Sequence, residues 1–381
     1  MTATYVPFNR PYATGAELGY IEEAVRSGET AAGGPFAGRC RQWLEGRYAC
    51  PRAVLTHTGT DALEMAALLA GVGEGDEVIM PSFTFPSTAN AFVLRGASPV
   101  FVDIREDTLN VDEAQVAEAI GPRTRAIVPV HYAGVAAEMD AISEEARRHG
   151  LTVVEDASHA LPSTYRGREL GSMGQLGVLS FHETKNVSCG EGGALLVNDE
   201  SLVEHAEVLQ DKGTNRRAFL QGRVDKYSWT ELGSSFAASD IAAAYLWAQL
   251  EDIESITAQR MRTWDAYHGA FERAEREGRV RRPVVPPHCA HNAHLYYLLV
   301  QGPPGRDALL ARLEELGVNA VFHYVPLHSA PAGRRYGRAH GELEVTDRVS
   351  SSLVRLPMWA GMGPGEVEQV VDAVYAALSS P

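Results

Sequence analysis

A single lysine, Lys185, stands in the stretch SFHETKNVSCGEGGALLVN between an apolar run and a glycine-rich turn. A lysine at the edge of a sheet ordinarily points into water. One held in apolar surroundings keeps its amine neutral more readily and attacks aldehydes to form a Schiff base. Asp156 closes the run VVED, where a carboxylate on a buried strand is costly unless a cation or hydrogen bonds answer it. It could cap the helix that follows, or it could hold a protonated ring nitrogen. Thr58 to Ala70, TGTDALEMAALLA, reads as a turn of small polar residues entering a helix, and the unpaired N–H groups of such a helix start suit a phosphate. Thr60 or Asp61 could equally be a simple capping residue there. Each feature alone has an ordinary structural explanation. Together, an amine, a strand-end carboxylate and a phosphate-binding helix start are three contacts that pyridoxal phosphate requires.

The elements that must position these groups are legible from patterning. VFVDI (100–104), AIVPVHY (126–132), LTVVEDA (151–157), GVLSF (177–181) and GALLVN (193–198) read as strands, and residues 112–120 and 138–149 as helices between them. This alternation predicts an α/β fold with a mostly parallel sheet, which delivers strand ends to one edge where ligands bind. Beyond about residue 245 a long helical stretch is followed by Pro283, Pro286 and Pro287. It predicts a connector into a smaller α+β C-terminal domain holding the strand LYYLLVQG (295–302), a helix over 306–316, the segment NAVFHYVPLH (319–328) and a last helix after Gly365. The domain expectation is a large unit over residues 1–250, whose N-terminal segment could pack elsewhere, and a small unit over 251–381.

Composition narrows the partners. With 381 residues and 45% hydrophobic content the chain is sized for a large domain and a companion. A formal charge of −15 opposes binding to nucleic acid or anionic membrane, and the absence of a long apolar run, with an N-terminus lacking basic and apolar blocks, leads to the expectation of a cytoplasmic protein. Cys40, Cys50, Cys189 and Cys289 are scattered without a C-x-x-C pair, so neither a disulfide framework nor a zinc ribbon is predicted. The cluster HCAHNAH, with His288, Cys289, His291 and His294, lacks the pairing of a usual metal site, and no metal is expected.

The segments GDEVIMPSFTFPSTANAFVLRGA, VFVDIREDTLNVDE, IVPVHYAGV, VVEDASHA, LSFHETKN, GEGGALLVND, KGTNR, VDKYSW, FHYVPLH and RLPMW resemble the DegT/DnrJ/EryC1/StrS aminotransferases, from PFNRP near the start to residue 359. The chain is most similar to the members that aminate the C-4 ketone of TDP-4-keto-6-deoxy-glucose. The resemblance implies fold type I of the pyridoxal-phosphate enzymes and a homodimer with sites at the subunit interface. It implies that Lys185 is the Schiff-base lysine and proton carrier, that Asp156 holds the pyridine nitrogen, and that His159 meets the phenolic oxygen where many relatives have glutamine. Phe85 matches an aromatic position that stacks on the ring, Thr60 and Asp61 would offer amides to the phosphate, and Ser180 its hydroxyl. Many relatives send an asparagine–aromatic–arginine motif across the dimer interface. Here GSSFAASD (233–240) puts Ser235 at the asparagine position and Ala237 at the arginine position.

For substrate, the resemblance makes Lys212, Asn215 and Arg216 candidates for the diphosphate, and Tyr324 and His328 candidates near the sugar. His182 is expected to be a packed or hydrogen-bonded residue, and Glu183 and Glu191 are assigned no catalytic role because one proton carrier suffices. The resulting reading is a transaminase taking an amino group from L-glutamate to the 4-keto carbon of a TDP-4-keto-6-deoxyhexose. The alternatives are amination at C-3 and a cofactor-binding regulatory protein without turnover.

Overall fold

The computed structural model describes residues 5–302 and 305–379. Residues 1–4, on which the reading of the N-terminus partly rests, lie outside them. Seven strands build the central sheet: β1 (Arg52–Thr56), β2 (Glu77–Pro81), β3 (Ser98–Val102), β4 (Thr124–Ile127), β5 (Thr152–Asp156), β6 (Leu176–Ser180) and β7 (Gly193–Val197). They lie in the order β1-β7-β6-β5-β4-β2-β3, and a short strand, Arg338–Ala339, pairs in parallel with the outer edge of β3.

All pairings from β3 through β6 are parallel, whereas β7 runs against both β6 and β1. The sheet is thus mostly parallel, as expected, with one strand reversed. β6 and β7 are joined by residues 181–192, which form no helix to serve as a crossover, and the chain turns back as a hairpin. β1 and β2 were not among the predicted strands. β2 is buried at every residue, which removes the alternation that marks a half-exposed strand.

The predicted helices occur at Glu113–Ala119 and Met139–His149. The long stretch after residue 240 is three helices, Asp240–Glu251, Ile253–Ala270 and Glu272–Arg276. A three-stranded sheet of Val280–Arg281, Tyr296–Val300 and Leu353–Leu356 carries its own apolar core, closed by Leu309, Leu313, Val370 and Val374 from the helices Arg306–Glu315 and Pro364–Leu378. Val6 from the N-terminal segment is buried in that core and bridges Val318. Leu327 and Leu343 are buried in a core of the large sheet. Chain segments thus cross between the two layers in both directions, and the cleft between them is fixed by covalent continuity as well as packing. Among the described residues no helix is long and apolar enough to cross a membrane.

Candidate active site

The helix Gly59–Leu69 begins directly above the β6–β7 hairpin. Its capping residue is Thr58, whose side chain accepts from the amide of Asp61 at 3.0 Å, so neither Thr60 nor Asp61 caps it. Asp61 does not line the cavity, and its amide is occupied by that cap. In this arrangement the amide expected to meet a phosphate is the one that closes the cap. The amides of Gly59 and Thr60 have no partner among the described residues, and Thr60 Oγ1 lies 2.8 Å from Ser87 Oγ. Ser180 closes the other side. A Cβ built on Gly59 would stand 2.9 Å from Ser180 Cβ, and one on Gly193 would stand 2.4 Å from the carbonyl oxygen of Thr58. Glycine at 59 and 193 therefore lets the helix start press onto the strand ends, while Gly190, at φ 83°, makes the turn.

Asp156 ends β5 at the cavity. Its Oδ2 accepts from Thr88 Oγ1 at 2.8 Å and its Oδ1 from the amide of Ser158 at 3.2 Å. Thr88 is delivered by the helix Pro86–Val93 and also meets Thr84 Oγ1 at 2.9 Å. Behind it, Glu155 is fully buried and accepts from the amides of Gly171, Met173 and Gly174 and meets His131 Nε2 at 2.9 Å. Burial pushes its carboxyl up, but the imidazole and these amides outweigh burial and hold it below the usual carboxylate range. This network fixes the end of β5, and with it Asp156.

Lys185 lies in the loop after β6, and its backbone amide donates to His182 O at 2.9 Å. The buried side chains of Phe181 and Val187 pin the loop on either side, each contributing roughly 1.5–3 kcal/mol by burial. The Lys185 amine has no hydrogen bond or ion pair among the described residues, and it faces the cavity. Burial lowers it to about 8, opposed by the Asp156 charge and assisted by Arg355. An unpaired, easily neutralised amine is what nucleophilic attack on an aldehyde requires.

His159 is buried in the wall. The amide of Ala133 donates to its Nδ1 at 3.4 Å, which puts the proton of the neutral ring on Nε2, 3.3 Å from the Tyr324 hydroxyl. Burial, then Lys185 and Arg355, depress its basicity well below the ordinary value, so it is a neutral donor at Nε2. Its ring stacks on His294 at 4.2 Å between centroids. His294 is held by Asn186 Oδ1 at 3.0 Å, and its carbonyl accepts from Arg260 at 2.5 Å. His323, 3.0 Å from the Tyr132 hydroxyl, completes an aromatic wall.

These groups line one cavity of about 830 Å³, together with Thr60, Phe85, Thr88, Ser180, Tyr324 and Arg355. Seven of the sequence-derived candidates are thus brought together: Thr60, Phe85, Asp156, His159, Ser180, Lys185 and Tyr324. Phe85 is 59% exposed, as a residue offering a free ring face to a ligand must be. His328 does not line the cavity. Its Nδ1 lies 2.8 Å from Ser82 Oγ and its Nε2 3.4 Å from Asp347, away from the residues expected to meet the cofactor. Lys212, Asn215, Arg216 and Ser235 also lie outside the cavity of their own chain. Lys212 and Arg216 pair with Asp211, Asn215 Oδ1 accepts from the Ser228 amide, and Ser235 bridges Asp211. His182 is hydrogen-bonded to Thr184 at the cavity mouth. Among the described residues no cluster could hold a metal ion.

Thr88, Arg260, His294, His323 and Arg355 escaped sequence reasoning. His294 was hidden in a histidine-rich run, but Arg355 carried a signal: it is the one charge in the apolar run LVRLP.

The donor set fits pyridoxal phosphate: an unpaired lysine, a carboxylate with lone pairs left for a ring N–H, a neutral imidazole donor, and a glycine cradle with free amides beside a serine. The family model for the DegT/DnrJ/EryC1/StrS aminotransferase family matches residues 11–375. The aminotransferase TlmJ from Streptoalloteichus hindustanus is 31% identical, with 98% of this chain and 99% of that one covered and a TM-score of 0.90. DesV of S. venezuelae is 30% identical over the whole of both chains, also with a TM-score of 0.90. Spr1654 from Streptococcus pneumoniae, solved in its PMP form, is 25% identical over 98% of each chain with a TM-score of 0.90. Dependence on pyridoxal phosphate follows from this kinship and from the fit of the site. The chain belongs to the DegT/DnrJ/EryC1/StrS aminotransferase family.

Proposed function

We propose that this protein transfers the amino group of L-glutamate to the 4-keto carbon of a TDP-4-keto-6-deoxyhexose, giving a TDP-4-amino-4,6-dideoxyhexose. The observation that carries the reading is the unpaired Lys185 amine sharing one cavity with Asp156, His159 and the free start of the Gly59–Leu69 helix. When bound, pyridoxal phosphate supplies an aldehyde that exchanges amines and a ring that accepts the electron pair released at the amine-bearing carbon. Lys185 Nζ would carry the proton from that carbon to the aldehyde-derived carbon of the cofactor in one half-reaction, and from there to the sugar carbon in the other. Asp156 would hold the ring N–H, His159 Nε2 would donate to the phenolic oxygen, and Phe85 would cover a ring face. The amides of Gly59 and Thr60, with Ser180 Oγ, would hold the phosphate.

The cations lining the cavity are Lys185, Arg260 and Arg355, against Asp156 and the rim residue Glu191, in a chain of formal charge −15. That local reversal of sign supports an anionic substrate such as a nucleotide sugar. The exposed Phe219, Leu220, Tyr227 and Trp229 sit in the segment that carries Lys212, Asn215 and Arg216. In a homodimer this segment and Ser235 meet the neighbouring subunit, and the lysine and arginine reach the diphosphate there; the enzyme works in the cytoplasm. The test mixes cofactor-loaded protein with L-glutamate, follows loss of the aldehyde-form absorbance, and then adds TDP-4-keto-6-deoxyglucose. NMR of the product should place the amine at C-4. Failure to aminate this sugar while the isomeric TDP-3-keto-6-deoxyglucose, added in parallel, is aminated would overturn the substrate reading, and unchanged absorbance with cofactor bound would favour a regulatory protein.

A further inference from the structure

Asn186 directly follows Lys185, and its buried side chain ties the lysine loop to the wall that holds His159. Its Nδ2 donates to Asn292 O at 2.8 Å, which fixes the way the amide faces. The other end, Oδ1, lies 3.0 Å from His294 Nδ1. An amide oxygen only accepts, so His294 carries its ring proton on Nδ1 and donates it there. Pinned in this way, the His294 ring lies on the His159 ring, with centroids 4.2 Å apart and planes 23° from parallel. Asn292 reaches the same histidine through the backbone. Its Nδ2 donates to His159 O at 2.8 Å and to Leu161 O at 2.9 Å. A Cβ on Gly134 would collide with its Oδ1, so Asn292 also packs against the turn whose Ala133 amide donates to His159 Nδ1. His159 is therefore held through its ring face, its Nδ1 and its carbonyl, and the first and last of these lead back to Asn186.

We infer that Asn186 is a positioning residue, which holds the Lys185 amine and the His159 imidazole at the spacing set by two neighbouring substituents of one ring. This rests on the cofactor placement proposed above. In pyridoxal phosphate the aldehyde carbon and the phenolic oxygen sit on adjacent ring atoms. Lys185 Nζ must reach the first while His159 Nε2 donates to the second, although the two residues come from different segments of the chain. Asn186 is where those segments meet: it shares backbone with the lysine and bonds both supports of the histidine. An uncharged amide suits the place. The charges that bear on Lys185 are those of Asp156 and Arg355, and a carboxylate at 186 would add another favouring the protonated amine.

The test reads the bound cofactor by absorbance. Cofactor-loaded wild type and Asn186→Leu are titrated through loss of the proton on the Schiff-base nitrogen; leucine matches asparagine in size and removes both hydrogen bonds. A donor on the phenolic oxygen competes with the Schiff-base N–H for that oxygen, so a misplaced His159 leaves the proton held more tightly. In Asn186→Leu the midpoint should rise by about half a pH unit or more. In a His159→Leu background the same substitution should move it by less than about 0.2 unit, because the group being positioned is gone. An unmoved midpoint in the first comparison, or an equal rise in the second, overturns the inference. Should Asn186→Leu fail to fold, His294→Phe keeps a ring on His159 but cannot donate to Asn186. It should raise the midpoint too, and lose that effect in the His159→Leu background; no rise overturns the inference. Nitrogen NMR of isotope-labelled histidines, with His294 assigned by its loss in His294→Phe, should show the wild-type His294 proton on Nδ1. A proton on Nε2 overturns the clamp. This last measurement needs no cofactor, so protein that forms no Schiff base fails the cofactor placement while the His294 tautomer still decides the clamp.

Discussion

The reactivity of Lys185 can be tested by pH alone, in cofactor-free protein. An ordinary lysine loses its proton near 10.5, whereas burial brings Lys185 down to about 8, with Asp156 pulling it up and Arg355 pushing it down. At pH 7.5 this leaves a substantial minority of the amine neutral, on the order of a hundred times the share for a lysine at 10.5. Because the neutral form attacks, capture of pyridoxal phosphate should speed up about tenfold per pH unit below 8 and level off above it. Stopped-flow absorbance after mixing protein with the aldehyde reads the rate, and simple pyridoxal serves as a control for phosphate ionisation. Asp156→Asn removes the charge that favours the ammonium, so its break should lie lower than that of wild type. A rate that climbs without a break to pH 10 would show a solvated lysine and refute the argument from burial.

Asp156→Asn should also keep its fold and lose most of the transamination rate, about 100-fold or more, because the ring N–H loses its anionic partner; near-normal turnover would refute that role. Gly193→Ala places a methyl group 2.4 Å from Thr58 O and 2.5 Å from Gly59 N, both backbone atoms that yield only by moving the helix start. It should cost about 1–3 kcal/mol in thermal or denaturant unfolding and weaken cofactor retention on dialysis; wild-type behaviour in both measurements would disprove the cradle.

The alternation of short apolar runs with amphipathic segments gave the α/β class, because a sheet covered by helices must bury its strands on both faces. It failed to show β1 and β2, and it could not show that β7 is reversed, since a strand's side-chain pattern is the same in either direction. In the same way, Thr60 and Asp61 were plausible caps from residue type, yet only the backbone geometry shows that Thr58 takes the Asp61 amide.

Residue type and order by themselves determined the chemical kit of this protein: one isolated lysine, a carboxylate closing an apolar strand, a small-residue helix start, and glycines where no side chain fits. These are local properties, set by what each residue can donate, accept or tolerate. Tertiary structure decided which groups share a cavity and in what state. The Lys185 amine is easily neutralised because its surroundings desolvate it without offering a partner, His159 is a neutral donor because the Ala133 amide takes its other nitrogen, and His328 is withdrawn to Ser82. Arg355 is far from Lys185 in the chain, and only the packing of the three-stranded sheet against the central one brings its guanidinium into the cavity. Burial and long-range juxtaposition set basicity and pairing, and neither is written in local sequence.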